Sequence, residues 1–189
     1  MRIAFVQDIL GFSIPLGITM IAGVLRKGGH DVDLFVVENK IEKTLKELEQ
    51  YKPDIIGFSV ISGSHQGYIK IARAIKQRLN IPILWGGPHV TFFPKIIEED
   101  YADAVCIGEG EGAALDYANA FDKLGGKMPT NIKNFWVKQD GVIHRNAVRS
   151  RIKNLDELTY PARDLYINKF SVLKNHGIKH FLAHRGCPH

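Results

Sequence analysis

Cysteine is nearly absent. Cys106 and Cys187 are the only two in 189 residues, too few for a disulfide framework and without the paired spacing of a zinc site. No apolar stretch approaches the ~20 residues needed to cross a bilayer. Met1-Arg2-Ile3-Ala4 leads straight into a strand pattern, with no signal peptide ahead of it. These absences predict a cytoplasmic chain with no membrane insertion. Charge of one sign is also lacking: 25 basic residues face 20 acidic ones, interspersed along the helical stretches, with a local basic excess only between Lys133 and Lys153. That distribution favours a solvated face over a nucleic-acid site. Internal repeats and low-complexity tracts are missing too. What remains is 45% hydrophobic, enough for one domain-sized core with extensions.

Short runs rich in Ile, Val, Phe and Leu predict strands at Arg2 to Gln7, Asp31 to Val37, Asp54 to Val60, Pro82 to Gly86 and Ala104 to Ile107. Their near-continuous apolarity marks parallel strands covered on both faces. Helical patterns lie between and after them, near Pro15 to Lys27, Ile41 to Tyr51, His65 to Leu79, Phe93 to Asp100 and Gly112 to Leu124. In the first, Leu16, Met20, Ile21, Val24 and Leu25 share a face, and Gly28-Gly29 ends the helix; in the third, Ile69, Ala72, Ala74, Ile75 and Leu79 share one. Five such units predict an α/β fold: a doubly wound, parallel, five-stranded sheet of Rossmann-like or flavodoxin-like type. Beyond Gly125-Gly126 the pattern changes. Asn134 to Val137 and Val142 to Asn146 flank Lys138-Gln139-Asp140-Gly141, a hairpin signal, and Leu155 to Asp164 reads as a linker.

In such a fold ligands sit outside the carboxyl ends of the strands. The loops there are Asp8 to Gly17, long and apolar; Ser59-Val60-Ile61-Ser62-Gly63-Ser64; Gly86-Gly87-Pro88-His89-Val90-Thr91; and Gly108-Glu109-Gly110-Glu111-Gly112. Glycine in the last three of these loops leaves room for a bulky group against the backbone. Gly108-x-Gly110-x-x-Ala113 matches a dinucleotide fingerprint, but Glu109 and Glu111 would repel a pyrophosphate from the helix N-terminus that should bind it. A phosphoryl-accepting receiver fits poorly, because the third strand ends in Ser59 with no aspartate to accept the group.

The succession of these pieces resembles the N-terminal cobalamin-binding domain of class B radical S-adenosylmethionine (SAM) enzymes. The resemblance rests on Pro15-Leu16-Gly17, Leu25 to Val32, Lys52 to Gly57, Gly86-Gly87-Pro88-His89 and Gly108-Glu109-Gly110-Glu111, then Leu155-Asp156-Glu157-Leu158 and Tyr160-Pro161-Ala162-Arg163-Asp164. It implies cobalamin held base-off, with the corrin over the carboxyl edge of the sheet and the dimethylbenzimidazole tail threaded down beside it. Leu10 and Gly11 would lie by the ring, Ser59, Ser62 and Gly63 near the tail, Gly86, Gly87 and Pro88 where backbone passes the tail, and Glu109 and Gly110 by the fifth strand. The Asp-x-His-x-x-Gly pattern of many cobalamin carriers, which many class B enzymes also lack, is not met, since Asp8 to Gly17 contains no histidine, so a histidine lower ligand to cobalt is not expected.

The closing Arg185-Gly186-Cys187-Pro188-His189 resembles the start of the CxxxCxxC loop that holds a 4Fe-4S cluster, with Cys187 as its first ligand. The expectation is a chain cut within that motif: 1–125 the cobalamin-binding domain, 126–178 hairpin and linker, 179–189 the opening of a radical SAM domain. That missing domain is then the natural partner, the cluster and SAM belong to the full-length enzyme, and the reaction is methyl transfer. Two other readings stay open: a stand-alone corrinoid carrier or sensor, and an FMN-binding flavodoxin-like domain.

Overall fold

The computed structural model describes residues 1–11, 13–175 and 180–185. Its elements in chain order are β1 (Arg2–Gln7), α1 (Leu16–Lys27), β2 (Asp31–Val36), α2 (Ile41–Tyr51), β3 (Ile55–Ser59), α3 (His65–Arg78), β4 (Ile83–Gly86), α4 (Pro88–Phe92), β5 (Ala104–Cys106) and α5 (Glu111–Lys123). They are followed by β6 (Phe135–Gln139), β7 (Val142–Arg145), α6 (Asp164–Ile167) and α7 (Ser171–Lys174). The five expected strands all form, with ends shifted by at most a residue.

The sheet has seven strands rather than five, in the order β2-β1-β3-β4-β5-β6-β7. The first five are parallel. The hairpin is not an appendage: β6 pairs antiparallel with β5, Cys106 opposite Phe135, and β7 adds to β6. Its two-residue turn has Asp140 at φ 52° and Gly141 at φ 76°, the positive pair a type I′ turn requires. Without β6 the three-residue β5 would be an open edge.

Strand alternation sorts the core into two layers. Ala4, Val6, Ile56, Phe58, Ile83, Trp85 and Val105 face α2, α3 and α4. Ile3, Phe5, Ile55, Ala104 and Cys106 face α1 and α5. The third helix buries Tyr68, Ile71, Ala72 and Ile75, part of the expected face, while Ile69, Ala74 and Leu79 are half-buried. The first departs further. Of its expected stripe only Leu25 is buried, alongside Ile18, Thr19, Ala22 and Gly23. The reason is a second covering: Ala162 N–H donates to Thr19 O at 2.8 Å, and a Cβ at Gly23 would lie 2.4 Å from Tyr160 O. The segment that reads as a linker is therefore packed along α1, and Leu165, Tyr166 and Leu173 complete the α1 layer.

The expected helix from Phe93 to Asp100 is replaced by α4, which starts five residues earlier, and a 3-10 turn at Pro94–Glu98. Pro88 sits at the first helical turn, where its missing N–H costs nothing, and Pro94 prevents α4 from continuing.

Candidate functional site

The strand order places β1 and β3 side by side with their crossovers on opposite faces, α1 on one and α3 on the other. The switch point between them is where an open α/β sheet binds ligands. The rim there is formed by the segment after Gln7, the 60–64 loop, Gly87 and the 107–110 loop.

On the α2/α3 face the upper strand positions carry Phe58, Val60 and Trp85, a filled core. On the α1/α5 face the corresponding positions are Gly57, Ser59, Gly86 and Cys106. Below Ser59 and Gly86, Gly57 stands between Phe5 and Leu84 in the ladder, and a Cβ there would lie 2.9 Å from the Phe5 ring. The result is a slot of about 70 Å³ between the sheet and helices α1 and α5, walled by Phe5, Gly57, Gly86, Cys106, Gly110 and Tyr117. It is narrower than the ~150 Å³ that takes up one benzene ring. Ile21, half-buried on α1, also lines the slot, and its Cδ1 would stand 2.7 Å from a Cβ at position 110.

Two polar groups line this apolar slot. Burial, aided by the Glu111 carboxylate, pushes the Cys106 thiol up to about 12, so it stays protonated. Tyr117 is 1% exposed and its hydroxyl has no hydrogen-bond partner among the described residues. Burial, then the charge of Asp103, raises its ionisation above the ordinary phenol range, so it remains a donor. Leaving such a group unpaired costs about 1–3 kcal/mol.

The expected site residues fall into three groups. Ser59, Gly86 and Gly110 stand around the slot, with Ser59 opposite Gly86 in the ladder and its Oγ 4.0 Å from where a Cβ at Gly17 would be. Ser62, Gly63 and Pro88 lie on the α3/α4 side, where Ser62 Oγ meets His89 Nδ1 at 3.1 Å and the His65 and His89 rings stack with centroids 4.5 Å apart. Burial, then the neighbouring His65, lowers the His89 pKa. Leu10 and Gly11 follow β1, Leu10 packed against the α1 layer and Gly11 exposed. Cys187 lies outside the described residues. Among the described residues no group of three or more histidine, cysteine or acidic side chains is assembled to hold a metal.

Gly87 and Glu109 carry structural duties. Gly87 has φ 93° and ψ 177°, and a Cβ there would lie 2.6 Å from Val60 N, so this glycine seats the β4 loop on β3. The same clamp is made by Val60 N–H to Gly86 O and His89 N–H to Val60 O. The Glu109 carboxylate accepts from Ile152 N–H at 2.6 Å and pairs with Arg185 at 3.1 Å, while Arg185 also pairs with Glu111. Together with Pro88, Arg149 and Ile152, these residues border an open cavity of about 750 Å³ beside β5.

Sequence reasoning missed Gly57, Tyr117 and Asn134. Gly57 carried a signal, glycine inside a buried strand, which marks close approach. Asn134, at φ 76°, donates to Glu109 O at 2.8 Å and accepts from Arg149 N–H at 2.6 Å, bracing the β5 loop from β6.

Comparison with known proteins agrees with this geometry. The family model described as the B12 binding domain matches residues 3–118. An uncharacterized methyltransferase of Pyrococcus horikoshii is 31% identical over 185 residues, covering 92% of this chain and 39% of that protein. The hopanoid C-3 methylase of Methylococcus capsulatus is 32% identical over 106 residues, 53% of this chain and 21% of the methylase. Among solved structures, the cobalamin-dependent SAM radical enzyme OxsB with aqua-cobalamin bound superposes with a TM-score of 0.72 at 22% identity, over 88% of this chain and 24% of OxsB. The chain thus spans well under half the length of these relatives. On the match of residues 3–118, which includes all five parallel strands, the chain belongs to the B12-binding domain family.

Proposed function

We propose that this chain is the cobalamin-holding region of a cobalamin-dependent radical SAM methyltransferase and that it binds cobalamin base-off, with the nucleotide tail in the slot between the sheet and helices α1 and α5. The observation that carries this reading is the asymmetry of the two sheet faces: large side chains fill one at the strand ends, while Ser59, Gly86 and Cys106 leave the other open. The chemistry of the lining suits such a group once the half-buried Ile21 side chain turns aside to widen the slot. It is apolar for a flat base and holds one unpaired donor, and the rim offers neutral Ser59 and Ser62 hydroxyls.

Bound cobalamin supplies a cobalt centre able to accept and donate a methyl group. The chain's own part is to position it. Leu10, Gly11, Ile9 and Ile14 form the apolar floor after β1, and the absence of histidine from residues 8–17 leaves the lower face of the metal without an imidazole from this loop. Gly86 and Gly110 keep the slot mouth open, while Gly87 and Pro88 set the β4 loop beside it. Ser62, Gly63 and Glu109 are assigned to the rim. The relatives' names support methyl transfer, and the OxsB likeness supports a radical SAM partner domain. In this reading 1–125 is the cobalamin unit, 126–178 joins it to the next domain, and Cys187 is the first ligand of that domain's 4Fe-4S cluster.

The test is equilibrium dialysis of the chain with hydroxocobalamin, followed by the absorption spectrum and, after reduction, electron paramagnetic resonance of cobalt(II). One base-off cobalamin per chain without nitrogen splitting is expected. Gly86→Leu should lower the affinity about 100-fold, equivalent to ~2.8 kcal/mol. A Cβ at position 86 meets its neighbours at 3.5 Å or more, so the change fills the slot without straining the backbone. Absence of binding by the wild-type chain would overturn the reading, and a nitrogen splitting would overturn the ligand-free lower face.

A further inference from the structure

Among the described residues, the Tyr117 hydroxyl is buried without a hydrogen-bond partner, on a side chain that lines the slot. We propose that Tyr117 determines which corrinoid the chain accepts, by donating a hydrogen bond to a ring nitrogen of the base in the nucleotide tail. This rests on the proposed cobalamin site and extends it to a preference: corrinoids with a benzimidazole-type base, whose ring nitrogen is free to accept once it leaves cobalt, over corrinoids with a phenolic tail, which has no such nitrogen.

Four observations lead there. Tyr117 is 1% exposed, so water does not satisfy its hydroxyl. The side chain lines the slot, packing against Phe135 with ring centroids 4.6 Å apart and within the cluster of Ile55, Ala104 and Val137. The rest of that wall is hydrocarbon apart from Cys106, whose protonated thiol is at best a weak partner. Finally, α5 runs from Gly110 at the slot mouth down to Asp122 beside the N-terminus, which places Tyr117, midway along it, below the glycine-lined entrance.

A phenylalanine would fill the same volume without burying an unpaired donor. A hydroxyl kept there weakens the ligand-free protein, and a ligand acceptor recovers that loss on binding. Tyr117 forms no covalent bond in this role; it positions and selects.

The experiment compares wild type and Tyr117→Phe in equilibrium dialysis against cobalamin and against p-cresolylcobamide, together with urea unfolding of both proteins without ligand. Relative to wild type, Tyr117→Phe should lose about tenfold in affinity for cobalamin and none for the cresolyl form, shifting the preference between the two, and should unfold at the same or a higher urea concentration. An unchanged preference in Tyr117→Phe overturns the assignment while leaving the cobalamin site standing, as does a lower unfolding midpoint, which would show that the hydroxyl serves the ligand-free fold. If wild type binds neither corrinoid, the cobalamin reading falls and this assignment with it.

Discussion

The Tyr166 hydroxyl donates to the Gln7 side-chain oxygen at 2.7 Å, joining the last residue of β1 to a helix 159 positions later. Gln7 in turn donates through Nε2 to Ile9 O at 2.6 Å, at the start of the long loop after β1. The rim at the switch point is thus held by a residue from the far end of the chain. Lys169 repeats the connection at β2, pairing with Asp33 at 2.6 Å and donating to Leu34 O at 2.7 Å.

Tyr166→Phe should destabilise the fold by about 1–3 kcal/mol, because Gln7 is left with a buried unpaired oxygen. The loss should be local as well as global. Denaturant unfolding gives the first, and faster amide exchange around Ile9, without change on α3, gives the second.

Adjacent glycines should behave in opposite ways. Gly87→Ala places a side chain at φ 93° against the Val60 backbone and should cost about 1–3 kcal/mol of stability. Its effect on cobalamin affinity per folded molecule should be small beside that of Gly86→Leu. Unfolding curves and dialysis on both variants separate a residue that seats a loop from one that borders the slot.

Acid should loosen the α3/α4 side of the rim. The folded pKa of His89 lies below its ordinary 6.5, so the unfolded chain takes up the proton first and stability falls as pH drops through 6.5 toward the lower folded value. Proton NMR should show the His89 ring titrating below 6.5. Replacing His65, whose charge contributes to the depression, by Ala should move that titration upward.

Cys106 should resist alkylation. With its thiol held at about 12, iodoacetamide at pH 8 should label it only after unfolding, as read by peptide mass mapping. The sign at high pH follows: the unfolded thiol ionises near 9 while the folded one keeps its proton, so stability declines from about pH 9 toward 12. Cys106→Ala should flatten that part of the slope.

The elements of the cradle are written locally. Near-continuous apolarity in runs such as Ile55-Ile56-Gly57-Phe58-Ser59 and the helical spacing of apolar residues between His65 and Leu79 specify strands and helices wherever the chain lies. Asp140-Gly141 specifies a hairpin, because the turn needs two positive φ values in succession. The strand-end loops, with their glycines and serines, are legible for the same reason.

What depends on neighbours distant in the chain was not legible. That β6 continues the sheet follows from β5 having a free edge, and that residues 159–166 pack on α1 follows from the close approach of Tyr160 O to Gly23. Gly86 and Gly87 look alike in sequence. One faces a slot as the last residue of β4, while the other, past the strand end at φ 93°, abuts the Val60 backbone, and what waits at each is set by the packing of α1, α3 and α5. The unpaired state of Tyr117 is likewise a property of its surroundings: its place on α5 is local, but whether any acceptor comes within reach was decided when the helix docked against β3, β4 and β5.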